Sequence, residues 1–289
     1  MRNRILAGLG VAALATVGIA APANAFDAGK ADLYLVHAFP ATGDVPDTTV
    51  DISIAGGAID LPGVPEGVAA GPGLAAPNVA VAALGNLDPG TYNVTITLAG
   101  TATELFNADV TLAANTSYTA VAHPAIGGAF TVSVFENQVT AAAGNGVITV
   151  RHTADVVPVN IYSDGTELAG PLANPNQAVL EVPAATYPNV YAGVDADTPA
   201  IALDDVTLPA ATNIFVHAYG PDTEGDFSAV VFSIGGLTTP HGIPGGSAGL
   251  VAEGSPVNAA ALGGIAALVL AMMAGTALVV RNRAATVSR

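Results

Sequence analysis

The tetrapeptide Asp109-Val110-Thr111-Leu112 recurs without change as Asp205-Val206-Thr207-Leu208. Working outward from this pair, Leu35-Val36-His37-Ala38 answers Val150-Arg151-His152-Thr153, and Val50-Asp51-Ile52-Ser53 answers Val159-Asn160-Ile161-Tyr162. Pro89-Gly90-Thr91-Tyr92 answers Ala184-Ala185-Thr186-Tyr187, and the run from Phe130 to Phe135 answers the run from Phe227 to Phe232. These matches keep the same order, which marks a duplicated unit of about 100 residues.

Each matched run is a short Val, Ile, Thr, Tyr or Phe segment with alternating polarity, punctuated by Gly, Pro, Asn and Asp. A period of two over short runs is a strand signal, and no stretch from 27 to 235 keeps an apolar period of 3.6 over helical length. The pattern predicts an all-β chain of two tandem immunoglobulin-like antiparallel β-sandwiches, over 26–140 and 146–235. The Ala-Ala-Ala-Gly-Asn-Gly run from 141 to 146 breaks the strand pattern between them.

Charge separates the body from its ends. Among 289 residues there are 7 Lys or Arg, 23 Asp or Glu and no Cys. All 23 acids lie between residues 26 and 280, where Lys30 and Arg151 are the only bases, so the interior carries a balance of −21. Such a surface repels phosphate and excludes nucleic acid as a partner. The absence of Cys excludes disulfides, thiolate metal sites and a thiol nucleophile.

Arg2 and Arg4, the apolar run from Ile5 to Ala21 and the triplet Ala23-Asn24-Ala25 form the pattern of a bacterial secretory signal over 1–25, cleaved after Ala25. The uncharged stretch 259–280 is long enough for a transmembrane helix, and the Arg281 and Arg283 that follow place the tail 281–289 in the cytoplasm. The Gly/Pro-rich segment 236–258 reads as a flexible stalk. No LPxTG-like pentapeptide precedes the apolar run, so a retained single-pass helix is expected, with the bulk of the chain extracellular. Within the stalk, Gly245-Gly246-Ser247-Ala248-Gly249 matches a nucleophile elbow in letters but lacks its strand and helix context.

A strand ending in His37, the loop Pro40, the strand Val50-Asp51-Ile52, the segment Leu87-x-Pro89-Gly90-Thr91-Tyr92, and Leu112 with Tyr118 together resemble the secreted bacterial domain of unknown function 4397 (DUF4397). The second half is similar but departs from it, with Asp155 near the place of Pro40, Asn160 for Asp51, and Ala184-Ala185 for Pro89-Gly90. The resemblance implies two tandem copies of an extracellular β-sandwich module and no established activity.

Chemistry-bearing residues are few. His37 and His152 end apolar strand faces and are expected at the core's edge, each pinning a loop through a hydrogen bond. Tyr92 and Tyr187 follow turns and are expected as tyrosine corners, also structural. Phe215, His217 and Tyr219 share one face of a strand. If that face points outward, it is a ligand-binding stripe suited to a cell-wall glycan or a surface protein; in the opposite register it is core. Asp222, Glu224 and Asp226 alternate as Ca²⁺ ligands do, but lack the Gly and Glu of a complete loop, so no metal or other cofactor is required.

The sequence points to a non-catalytic surface module for ligand recognition, adhesion or envelope structure. An extracellular hydrolase, such as a carboxylate-based glycosidase, and a Ca²⁺-dependent adhesive module are the alternatives. No catalytic residue is assigned.

Overall fold

The computed structural model describes residues 27–41, 48–55, 57–75, 78–221 and 225–239. The signal segment 1–25, the stalk from 240 onward and the apolar stretch 259–280 lie outside these residues, as do Asp222, Glu224 and Ser247. Among the described residues no helix is long and apolar enough to cross a membrane.

The first half contains β1 (Ala31–His37), β2 (Val50–Ile54), β3 (Ile59–Val64), β4 (Val68–Gly71), β5 (Val79–Ala80), β6 (Gly90–Leu98), β7 (Glu104–Leu112), β8 (Thr116–Pro124) and β9 (Phe130–Glu136). The second contains β10 (Asn145–His152), β11 (Val159–Ser163), β12 (Thr166–Leu172), β13 (Gln177–Pro183), β14 (Ala185–Gly193), β15 (Pro199–Leu208), β16 (Thr212–Tyr219) and β17 (Ser228–Gly235). Sheet orders are β5-β4-β1-β8-β9 and β3-β2-β6-β7 in the first half, and β13-β10-β16-β17 and β12-β11-β14-β15 in the second. Apart from the short β5, the two halves have the same topology, strand for strand.

The strands expected from alternation are present, but the pairing is not wholly antiparallel. β1 pairs with β8 in parallel, Leu35 opposite Ala120, and β10 pairs with β16 in parallel, Val150 opposite Val216. Alternation reports which face of a strand is buried and is blind to the direction of its neighbour, so the parallel centre of each mixed sheet leaves no trace in the pattern.

Each sandwich encloses its own core. Leu33, Leu35, Ile52, Ile54, Val94, Ile96, Val110 and Leu112 fill the first, and Ile148, Val150, Ile161, Val190, Val206, Leu208, Ile214 and Val216 fill the second. Burial then separates two kinds of sheet. In β2 buried residues alternate with partly exposed ones, whereas all seven residues of β1 are buried, as are all but the first of β10 and of β16. A sheet buried on both faces is covered twice. The second cover is the other sandwich: Tyr34, Val36, Val121 and Leu74 of the first half pack with Phe215, Tyr219, Val230, Phe232 and Ile234 of the second in a third apolar layer.

At the outer corners, Tyr92 Oη donates to the Asp88 carbonyl at 2.7 Å and Tyr187 Oη donates to the Pro183 carbonyl at 2.8 Å. Each bond ties a strand start to the turn four residues upstream. Tyr92→Phe and Tyr187→Phe are each expected to cost about 1 kcal/mol. The losses should add in the double variant, because the residues sit in separate sandwiches. Urea denaturation of the single and double variants measures both.

Candidate functional site

The stripe Phe215, His217 and Tyr219 does point away from its own sandwich, but it is not exposed. Phe215 and His217 are each 0% exposed and Tyr219 is 8% exposed, because the first sandwich lies over them. The expected ligand-binding stripe is therefore corrected to an interdomain layer. Strand alternation could show that this face turns from its own core, but not that a second sheet of the same chain covers it.

The layer is built on rings and one cation. Phe232 stacks between Tyr34 (centroids 5.4 Å) and Phe215 (4.9 Å), with His217 5.5 Å from Phe232. Arg151, on the same face of β10, is 0% exposed. Its guanidinium donates through Nε to Gln177 Oε1 (3.0 Å), through Nη1 to His217 Nε2 (3.0 Å) and through Nη2 to Asn137 Oδ1 (2.7 Å). It also lies over the rings of Phe135 and Phe215, at 4.6 and 5.0 Å. Asn137 and Phe135 belong to the first sandwich, so one side chain of the second is held from both. Burial pushes the Arg151 pKa down to about 9, and it remains a cation at neutral pH.

The imidazoles here are neutral. Arg151 can only donate, so Nε2 of His217 accepts; burial first, and then the Arg151 charge, hold its pKa well below the ordinary value. His123 Nδ1 donates to the Pro124 carbonyl and its Nε2 accepts from Ser133 Oγ, both at 2.8 Å, and burial lowers its pKa. His152 Nε2 donates to the Val157 carbonyl at 3.1 Å, pinning the loop after β10, and burial again lowers the pKa. His37 departs from the expected loop-pinning role: burial lowers its pKa, and although the backbone of Val64 and Pro65 lies against the ring, neither ring nitrogen makes a hydrogen bond among the described residues. The polar seam continues through Asn174 Nδ2, which bridges the carbonyls of Pro124 and Ala154 at 2.9 and 2.7 Å, and through Asn213 Nδ2, which donates to the Gln138 carbonyl at 2.9 Å.

With that face closed, access to solvent passes to the outer sheets. On the first sandwich, a groove of about 360 Å³ crosses β3, β2 and β6, lined by Asp51, Ser53, Asp60, Pro62, Thr95 and Thr97. Register explains the grouping. Ser53 stands between Asp60 on one side and Thr95 on the other, and Asp51 stands opposite Thr97, so two rungs of oxygen-bearing side chains face outward. Asp51 also holds the rim, accepting from the Gly63 amide at 2.7 Å and the Gly100 amide at 3.2 Å. Sequence reading marked Asp51 only through the family resemblance. The alternation of β2 and β6 carried the rest of the signal, since its polar phase is the groove.

Among the described residues no group of three His, Asp or Glu side chains could hold a metal ion. Of the acidic triplet, only Asp226 falls in the described chain, and Asp222 and Glu224 do not. Asp195 accepts from the Asp197 amide at 3.0 Å and caps its own turn, while Asp205 on β15 accepts from the Asn189 amide of the neighbouring β14 at 3.1 Å.

The model of the family "Domain of unknown function (DUF4397)" matches residues 44–162 as one copy. That is less than half of the chain, and it runs across the junction from the loop before β2 into β11. No curated protein matches. Among solved structures, the chain is similar to a family 26 carbohydrate-binding module from Eubacterium rectale Amy13K, crystallised in complex with maltoheptaose. The likeness is 15% identity and a TM-score of 0.22, over 68% of this chain and 95% of that one, too slight to transfer a fold or a ligand.

Phe215→Ser is expected to cost about 3–5 kcal/mol in a denaturant titration, the range for emptying a buried aromatic site. An exposed stripe would lose almost nothing. The imidazoles add a pH dependence. They are neutral in the fold and take up a proton near 6.5 when unfolded, so the unfolded chain binds more protons below that value. Their stabilisation is complete above about pH 6.5 and falls as pH drops below it. Unfolding midpoints measured across that range should decline toward acid, and His123→Gln with His217→Gln should flatten the decline.

Proposed function

We propose that the chain is a non-catalytic surface module in which two β-sandwiches act as one rigid acidic body. The signal 1–25 exports it, 259–280 anchors it as a single membrane helix with its C-terminal tail in the cytoplasm, and 236–258 is the tether. The observation that supports this reading best is the interdomain layer. Arg151, His123 and His217, side chains that elsewhere supply catalytic charge or proton transfer, lie buried between the sheets: Arg151 reaches across to Asn137, His217 accepts from Arg151, and His123 is held by Ser133 of its own sandwich. Recognition is left to the outer sheets and end loops. The charge balance keeps the body apart from anionic membrane and from nucleic acid, and favours neutral or basic partners such as cell-wall glycan or a surface protein.

The module works without a cofactor. The full-length chain should melt at the same temperature with and without EDTA, and should not turn over glycosidase, esterase or peptidase substrates. Protease added to intact cells should remove the body and leave a membrane-bound stub. Turnover above buffer, or protection of the body, overturns the reading. Calorimetry should give one transition with equal calorimetric and van't Hoff enthalpies, as joined sandwiches require; two resolved transitions would show that they move independently.

A further inference from the structure

The duplication supplies an internal reference for the groove on the first sandwich. Aligned through Ile52 and Ile161, Ser53 corresponds to Tyr162 and its neighbour Thr95 to Tyr191, because each pair is directly opposed in the same strand pairing. Asp60 corresponds to Glu167, which lies opposite Tyr162. In the second sandwich this position is filled. The Tyr162 and Tyr191 rings stack at 5.1 Å and 19°, are 5% and 9% exposed, and are closed over where Tyr191 Oη donates to the Ala196 carbonyl at 2.7 Å. In the first sandwich a serine and a threonine stand at these register positions instead, and the groove opens over them.

This space has a definite chemistry. Its volume of 360 Å³ lies at the small end of the range of about 300–1,000 Å³ usual for small-ligand sites. Ile52, Leu61, Pro62 and the threonine methyls provide apolar wall, the larger part of the lining. Asp60 and Asp51 provide carboxylate acceptors, and Ser53, Thr95 and Thr97 provide hydroxyls that both donate and accept. Adjacent strands place these groups about 4.8 Å apart, and successive outward residues stand about 6.8 Å apart along a strand. A ring with apolar faces and a rim of hydroxyl donors satisfies such a lattice. An anionic ring does not, because it would meet two carboxylates on a body whose 22 acids and 2 bases give a balance of −20.

We propose that this groove binds a pyranose ring of an uncharged polysaccharide, with Asp60, Ser53, Thr95 and Thr97 taking its hydroxyls in the place where the second sandwich stacks its own tyrosines. The assignment rests on reading the chain as a recognition module. Calorimetric titration of the full-length chain with cellohexaose, maltohexaose, mannohexaose and chitohexaose, and with polygalacturonate as the anionic control, tests it.

At least one neutral oligosaccharide should bind saturably, and polygalacturonate should not. Ser53→Tyr with Thr95→Tyr installs the second sandwich's own pair and should abolish binding while the melting temperature holds. Asp60→Asn exchanges a charged acceptor for a neutral one and should weaken binding about tenfold; it carries the test if the double variant melts early. Oligosaccharide binding that survives both variants overturns the groove and leaves the recognition reading standing. Capture of envelope material by a chain that binds none of the neutral oligosaccharides overturns the sugar. Failure of both overturns the groove and the recognition reading together.

Discussion

A guanidinium taken out of water without a carboxylate to meet it controls how the two halves of this protein fit together. Removing a charge from solvent costs several kcal/mol, and neutral acceptors offset that only if all of them arrive together. For Arg151 they come from β13 (Gln177), from β16 (His217) and, across the junction, from Asn137 at the end of β9. Asn137 is fixed in turn, donating to Ser117 Oγ at 2.9 Å and accepting from Thr119 Oγ1 at 2.8 Å on β8. The rings of Phe135 and Phe215 cover the faces of the cation. Separating the sandwiches would therefore wet an aromatic layer, leave Asn137 short of a partner and remove one acceptor from a buried cation.

That arrangement accounts for what the sequence disclosed and what it concealed. Duplication, strand content and both tyrosine bonds are local or periodic properties, and they stand in the residues themselves. Tyr92 and Tyr187 reach carbonyls four positions upstream, a distance that one chain segment contains. Docking of the halves is different in kind. Phe215, His217 and Tyr219 alternate as an outward strand face does, and nothing in β16 records that Tyr34 and Val121 lie against it. The one unusual letter was Arg151, one of two bases in the acidic interior and the only Asp, Glu, Lys or Arg on β10. An isolated charge on such a strand is costly unless something is built to receive it, and that cost was the available clue.

Divergence between the halves follows their solvent exposure. The paired inner sheets differ where they make one common layer: Val121 in the first stands where His217 does in the second, and Val36 stands where Arg151 does. The buried cation thus comes from one side only, which lets two copies of one unit fit together without placing two charges at the contact. The outer sheets differ for the opposite reason, since among the described residues no second sheet covers them. Ser53 and Thr95 leave a groove open at the register positions where the second sandwich stacks Tyr162 on Tyr191.

The parallel centre of each sandwich also sets the tempo of folding. Ala31 pairs with Thr116 and Val147 with Asn213, so neither inner sheet can be completed until nearly the whole of its sandwich has been synthesised. Contacts of such long sequence separation delay the rewarding steps and place the chain among slow folders. One edge of β1 and of β10 must therefore wait unpaired, in the state most prone to intermolecular strand pairing. The dense negative charge acts in that interval too, keeping unfinished chains from one another before any finished surface exists.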